Sequence, residues 1–571
     1  MKFWPIKVMT SALILTFFFA SVASANQPAF RAKSIGGDKS AVFFVEERST
    51  DSRSLVVSSG MSFFERPWIK DDPIPNMGAC RSTKDPDCDF TKLHAGIASS
   101  VLGVCESSSA RNCIESISFG PLSDQLVPAK FVKYLEGREI DEDSEMGFYG
   151  GRTASVWSAE NAANSSGDTN YLVTPVVDFS IYQNDQRFRA VGFAVDVTPF
   201  ATKFKENVGA GEWKTPEERL SDSQRSSVPL RFLPKTKDGD MSGECFAFQK
   251  NQCLVQYDFP PSTVIQMKVR LARELGGWFK GRLVDPDIKV ESLDGESNLI
   301  SVTAKPTEVA QVAHAVDYDR MTAQEQALHD EYYWGGSKTS RSTAGTASTG
   351  GADRVFDFMA KARDIFKDTA LGTTTFWNFG TVNAGAGSQC LADTSKVLGI
   401  VTTNAMGYQG TAPAFDGSTL NYRVVGPHYM PGGKVEVRGT YDLVMRSDVA
   451  RCLYRFNEAP ISATVSIASS NGEAQVATTS VSESGGWLRM SAKNFTFSEK
   501  VVSVKVSQES PAAVTVQPTP TPTPIPTVTA SPTTVTTPTL KRTISCVKGT
   551  TVKRVTGNSP RCPKGFKKRS V

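Results

Sequence analysis

A mainly β fold is what this 571-residue sequence predicts. The expected architecture is several disulfide-stapled, sandwich-like domains with two short helices, a Pro/Thr stalk and a small basic C-terminal hairpin. Three observations carry that expectation. Apolar residues come in short runs rich in Val, Phe and Tyr, such as Ala41–Val45, Ser54–Ser58, Tyr171–Phe179 and Ala190–Val197. Gly, Asp and Ser bound these runs, which marks strands. Eight of the ten cysteines fall in four close pairs, and Cys390 and Cys452 stand further apart. A cysteine-anchored phrase also recurs: Cys113-Ile-Glu-Ser-Ile-Ser-Phe-Gly-Pro121 is echoed from Cys253 to Pro261 and from Cys452 to Pro460. Gly-x-Cys-x7-Cys begins at Gly78, Gly103 and Gly243, and Glu-x-Gly-Gly-Trp at Glu274 and Glu483. Self-similarity on this scale reads as repeated structural units.

Residues 1–25 read as a secretory signal. Lys2 and Lys7 form a basic start, Ala12 to Val22 is apolar, and Ala23-Ser24-Ala25 is a small-residue cleavage site. No later apolar run approaches the about 18 residues that a spanning helix needs, so no membrane span is expected. Cysteines in an exported chain point to disulfides. Neighbour pairing gives Cys80–Cys88, Cys105–Cys113, Cys245–Cys253, Cys390–Cys452 and Cys546–Cys562, with Cys88–Cys105 the alternative that spacing also allows. Zinc is disfavoured because no Cys-x2-Cys occurs and His94, His314, His329 and His428 lie apart.

Composition divides the rest. Residues 26–234 are β-rich. Residues 235–334 form a second β-unit that ends in a helix and either shares the first core or has its own. Its hairpin signals are Gly276-Gly277 and Asp294-Gly295. Thr322-Ala-Gln-Glu325 is a capping box opening the helix. Residues 335–352 are Gly/Ser/Thr-rich and read as a flexible linker. Asp353 caps a second helix whose Val355, Phe358, Met359, Ala362, Ile365 and Phe366 form one apolar stripe, and residues 353–508 continue as a β-sandwich. Residues 509–540 are a Pro/Thr-rich linker. As polyproline II at about 3.1 Å per residue, Gln517–Thr539 would extend roughly 70 Å.

Residues 541–571 are the basic, Cys-stapled tail, with ten Lys and Arg and no acid. Between signal and tail stand 51 bases against 59 acids, a net charge of −8. That asymmetry calls for a polyanionic partner. Lys548, Lys553, Arg554, Arg561, Lys564, Lys567, Lys568 and Arg569 are the candidate contacts, and an anionic cell-wall or surface polymer is the expected ligand. Nucleic acid is not expected to meet an exported chain. Ile544-Ser-Cys-Val-Lys-Gly549 and Pro560-Arg-Cys-Pro-Lys-Gly-Phe-Lys-Lys568 resemble the Cys-Val-Lys-Gly…Cys-Pro-x-Gly-aromatic-Lys-Lys ending of large secreted and cell-surface proteins of high-GC Gram-positive bacteria. The stretch from Gly439 to Tyr454 looks like a domain that recurs beside that ending. The resemblance implies an exported or envelope location and brings no catalytic residues.

Familiar catalytic motifs are missing: there is no Gly-x-Ser-x-Gly, no His-Glu-x-x-His and no Gly-x4-Gly-Lys-Ser/Thr. The chain therefore reads as a non-enzyme. Three acidic clusters could offer oxygens to Ca²⁺: Asp85/Asp87/Asp89, Asp141/Asp143/Glu145 and Asp238/Asp240/Glu244. None has the calcium-loop frame, and Asp238, Asp240 and Glu244 are the best of them. No cofactor is expected otherwise. Trp278 and Trp487, at the Gly-Gly-Trp turns, are candidate sugar platforms, set against a plain role in closing hairpins. The preferred function is a secreted, envelope-associated structural or adhesive protein whose tail docks on a surface polyanion. The alternatives are a carbohydrate-binding protein and an extracellular hydrolase.

Overall fold

One long sheet organises the larger part of the molecule, seen in a computed structural model. The structure describes residues 27–30, 40–44, 59–64, 77–86, 88–90, 94–204, 208–212, 233–236, 245–249, 251–332, 354–382, 389–393, 395–456, 461–469, 474–475, 477–497, 500–508, 542–548, 551–557, 561–563 and 566–568. They fall in two compact units, Met1–Pro511 and Ala512–Val571. The fold is mainly β, as the alternation of short apolar runs predicts.

Across the long sheet the strand order is Met77–Cys80, Gly60–Phe64, Ala95–Val101, Asn170–Tyr182, Arg189–Phe204, Gly372–Val382, Gly277–Ser292, Val397–Thr403, Arg438–Arg446, Trp487–Thr496 and Thr478–Ser484. Every neighbouring pair is antiparallel except Gly277–Ser292 with Val397–Thr403, which is parallel. A parallel pair needs a long crossover, and here the chain passes through two strands, two helices and a third strand before returning.

A second sheet covers one face. It contains Cys113–Gly120, Val264–Ala272, Ser297–Gln311 and the outer half of Gly277–Ser292. That half bends out of the long sheet at a bulge between Val284 and Asp287, where Asp285 has φ 53°. Ile117, Phe119, Ile265, Met267, Ile288 and Ile300 meet Phe193, Val195, Phe279, Trp377, Phe379 and Val444 in the shared core.

A six-stranded sheet covers the opposite face further along, with Leu420–Val425, Lys500–Gln508 and Ile461–Ser469 at its centre. Tyr422, Val424, Ile467, Val502 and Val504 pack there against Leu398, Val401, Leu443, Met445 and Met490. The middle strands are thus buried on both sides. Phe279 faces one core and Trp278 the other. Val397–Thr403 is buried at every position, which explains its unbroken apolar start, Val-Leu-Gly-Ile-Val.

The expected domain seams are crossed by these ladders. Gly372–Val382 pairs with Arg189–Phe204 on one side and Gly277–Ser292 on the other, so segments assigned to three domains lie in one sheet. Residues 335–352, which lie outside the described residues, read as a linker because their composition buries little. That says nothing about whether the flanks share a sheet.

Both expected helices form, as Ala323–Tyr332 and Arg354–Ile365. In the capping box, Thr322 N–H donates to Glu325 at 2.7 Å and Glu325 N–H donates to the Thr322 hydroxyl at 3.3 Å. Val355, Phe358, Met359 and Ala362 are buried with Leu328 and Phe376. A third helix, Ser447–Tyr454, corrects the count of two. It holds Cys452, so the third copy of the cysteine phrase begins in a helix, whereas the first two begin in strands. Four disulfides match neighbour pairing: Cys80–Cys88, Cys105–Cys113, Cys245–Cys253 and Cys390–Cys452, with Cα separations of 5.7, 5.0, 5.4 and 5.8 Å. Cys562 is also disulfide-bonded, while the side chain of its expected partner, Cys546, lies outside the described residues. Among the described residues no helix is long and apolar enough to cross a membrane.

Candidate functional site

The basic tail folds within its own unit as a three-stranded sheet, with Arg542–Lys548 between Thr551–Gly557 and Lys567–Lys568. The expected hairpin therefore gains a third strand. Phe566 N–H donates to the Pro563 carbonyl at 2.9 Å, one residue before Lys567. Lys548 pairs with Thr551 where the two strands begin their ladder, and Gly557 ends the second strand. The register places Lys553 and Lys568 on either side of Cys546, Arg554 opposite Ser545, and Lys567 opposite Val547. Arg561 is exposed. Lys564 and Arg569 lie outside the described residues.

The two Gly-Gly-Trp phrases have different geometries. Gly485 and Gly486, with φ 60° and 78°, form a two-residue turn joining Thr478–Ser484 directly to Trp487–Thr496. Left-handed backbone at both positions explains the glycine pair. Trp487 is half-buried beside this turn. At the first copy no hairpin forms, because Val264–Ala272 and Gly277–Ser292 each pair with other strands. A 3-10 turn, Arg273–Leu275, carries the chain between them. Trp278 is wholly buried, and a Cβ added at Gly399 would lie 2.6 Å from its ring. A platform for sugar needs an open ring face, which Trp278 lacks. The carboxylates of both phrases serve as ties: Tyr149 donates to Glu274, and Arg451 pairs with Glu483 at 2.8 Å.

Among the described residues no group of three His, Cys, Asp or Glu side chains is placed to hold a metal. Asp238, Asp240 and Glu244 lie outside the described residues, as do Asp87 and the side chains of His314 and His329. Asp143 is buried and accepts from the Thr83 hydroxyl at 2.6 Å and from Met146 N–H at 3.1 Å. These bonds hold its carboxyl below the ordinary range. His428 Nδ1 lies 2.7 Å from the Phe497 carbonyl, and Nε2 lies 3.7 Å from Glu436.

Sequence reasoning missed a polar row buried in the long sheet. Asp196, Asn378 and Arg282 stand opposite one another on three adjacent strands. Asn378 Nδ2 donates to Asp196 Oδ1 at 2.8 Å, and the backbone N–H of Arg282 donates to Asn378 Oδ1 at 3.1 Å. The Arg282 guanidinium donates to the carbonyls of Ala405 and Met406 and lies 4.9 Å from the Tyr408 ring centre. Lys280, two residues earlier on the same strand, holds Nζ 5.2 Å from that ring centre. Exposures are 8% for Asp196, 0% for Asn378, 1% for Arg282 and 4% for Lys280. The signal was present in Trp-Phe-Lys-Gly-Arg-Leu, where Lys and Arg alternate with apolar residues. Alternation ordinarily marks a solvent face, and here the six-stranded sheet, through Tyr408, covers that face.

Comparison with known proteins finds no matching family model, no similar curated protein and no similar solved structure.

Proposed function

We propose that this is an exported, envelope-associated protein whose β body is held at a surface by its basic tail. The observation that carries this reading is the tail itself. Ten cationic residues and no carboxylate are concentrated from Lys541 onward, in a separate compact unit with its own sheet and a disulfide-bonded cysteine. A region that only improved solubility would need no fold. The ligand we infer is an anionic wall or surface polymer, attracted through a field that the acidic body lacks. Disulfides at four described pairs suit an oxidising compartment. The tail's likeness to the endings of secreted proteins of high-GC Gram-positive bacteria supports the same location.

The test is retention on cells. Deleting Lys541–Val571 should release the protein into the medium, and the intact protein should detach as salt rises, since screening shortens to about 3 Å at 1 M ionic strength. Truncated protein that stays bound, or intact protein indifferent to salt, defeats the anchor. Salt-independent binding to a neutral glycan, lost in Trp487→Ala, would favour the carbohydrate reading instead.

A further inference from the structure

We propose that Lys280 and Asn378 join in an intramolecular isopeptide bond, with Asp196 carrying the proton. The three side chains come from adjacent strands of the long sheet. Lys280 faces Gly380 in the register, and Gly380 faces Ala194, so the row beside Asn378 and Asp196 holds only a hydrogen and a methyl group. Lys280 and Asn378 are diagonal neighbours across the ladder, about 7–8 Å apart at the backbone, a gap that a long side chain spans. Lys280 and Arg282 both reach the Tyr408 ring, which places the lysine on the face that carries Asn378.

The Asn378 amide is held as an acyl donor. Its Oδ1 accepts the backbone N–H of Arg282, which can only donate, so the orientation of the amide is fixed. That N–H also stabilises negative charge developing on the oxygen during attack. Its Nδ2 donates to Asp196 Oδ1 at 2.8 Å, so the carboxyl sits at the leaving nitrogen. Asp196 takes one proton from the Lys280 ammonium and keeps it, the freed Nζ lone pair attacks Cγ of Asn378, and the Cγ–Nδ2 bond breaks as the second proton of Nζ passes through the carboxyl to the leaving nitrogen. One C–N bond forms, one breaks, and ammonia departs. No oxidant, reductant or cofactor is required. Exposures of 8% or less at all three residues exclude the water that would hydrolyse the amide instead. An ammonium and a carboxylate are also costly to desolvate so thoroughly, and the neutral amide product removes the first of those charges. The bond would tie Gly277–Ser292 to Gly372–Val382 by a link that reductants leave intact.

Intact-mass measurement of the full mature chain, with disulfides reduced, tests the proposal. The wild type should be lighter than its sequence by one ammonia. Trypsin should fail to cut after Lys280 and should release a branched peptide joining Lys280 to Asn378. Lys280→Met, Asn378→Ala and Asp196→Asn should each restore the full sequence mass. A wild-type chain of unmodified mass, cleaved normally after Lys280, overturns the proposal. So does an ammonia deficit that maps elsewhere, such as a succinimide at Asn471-Gly472. Asp196→Asn protein that retains the branched peptide would overturn the proton-carrying role of Asp196.

Discussion

Asp294 shows how much a single side chain can organise when its loop is built around it. Its Oδ1 accepts from the Ser297 hydroxyl at 2.7 Å, from Ser297 N–H at 2.8 Å and from Glu296 N–H at 3.0 Å, while Arg111 lies 3.0 Å from Oδ2. The Ser297 hydroxyl leads in holding the carboxyl down to about 2. An unfolded Asp titrates near about 3.9. A depressed folded value means that the stabilisation is complete above the unfolded value and is lost as pH falls toward about 2. Carboxyl NMR should therefore find Asp294 ionised at pH 3, and Asp294→Asn should flatten the acid limb of the stability curve. A midpoint near 4 would refute this. The two repeated tryptophans make a second contrast at this scale. Trp278→Ala should cost about 3–5 kcal/mol in denaturant unfolding, and the half-buried Trp487→Ala about 1–2 kcal/mol. Equal losses would mean that burial does not separate the two copies.

Among elements, what was legible in the sequence was what is settled by neighbours in the chain. The Thr322–Glu325 box and the Asp294-Gly295 turn form where expected because each depends on contacts a few residues apart, and the stripe of the second helix is legible because its apolar period lies within one helix. Neighbour pairing of cysteines succeeded for the same reason at the three pairs separated by eight residues. The misread elements depend on distant partners. Cys452 lies in a helix because Val449, Ala450 and Leu453 are buried against the second core, a demand that the phrase Cys-Leu-Tyr-Arg does not announce. Glu-x-Gly-Gly-Trp closes a hairpin only where the two flanking strands are partners. The buried Lys280, Arg282, Asp196 and Asn378 were invisible for a related reason: period-two alternation reports that a strand has two faces, not what covers each.

At the scale of the whole molecule, the long sheet binds together segments that composition separates. Phe193 from the N-terminal half, Phe279 from the middle and Val444 from the C-terminal half belong to one core. Calorimetry should accordingly show a single unfolding transition for residues 26–511, with calorimetric and van't Hoff enthalpies in agreement. A fragment ending at residue 334 would lose Gly372–Val382 from between two of its strands, and its circular dichroism should lack a cooperative melt. Independent melting of that fragment at the temperature of the intact body would contradict the shared sheet.

The parallel pairing of Gly277–Ser292 with Val397–Thr403 also bears on inheritance. A gene junction falling anywhere between these strands would pass on an open sheet edge with one buried face stripped bare. The body is therefore not a string of exchangeable parts, whatever its repeated phrases imply, and should be transmitted whole. The tail, a unit with its own sheet, is free to be appended to other bodies.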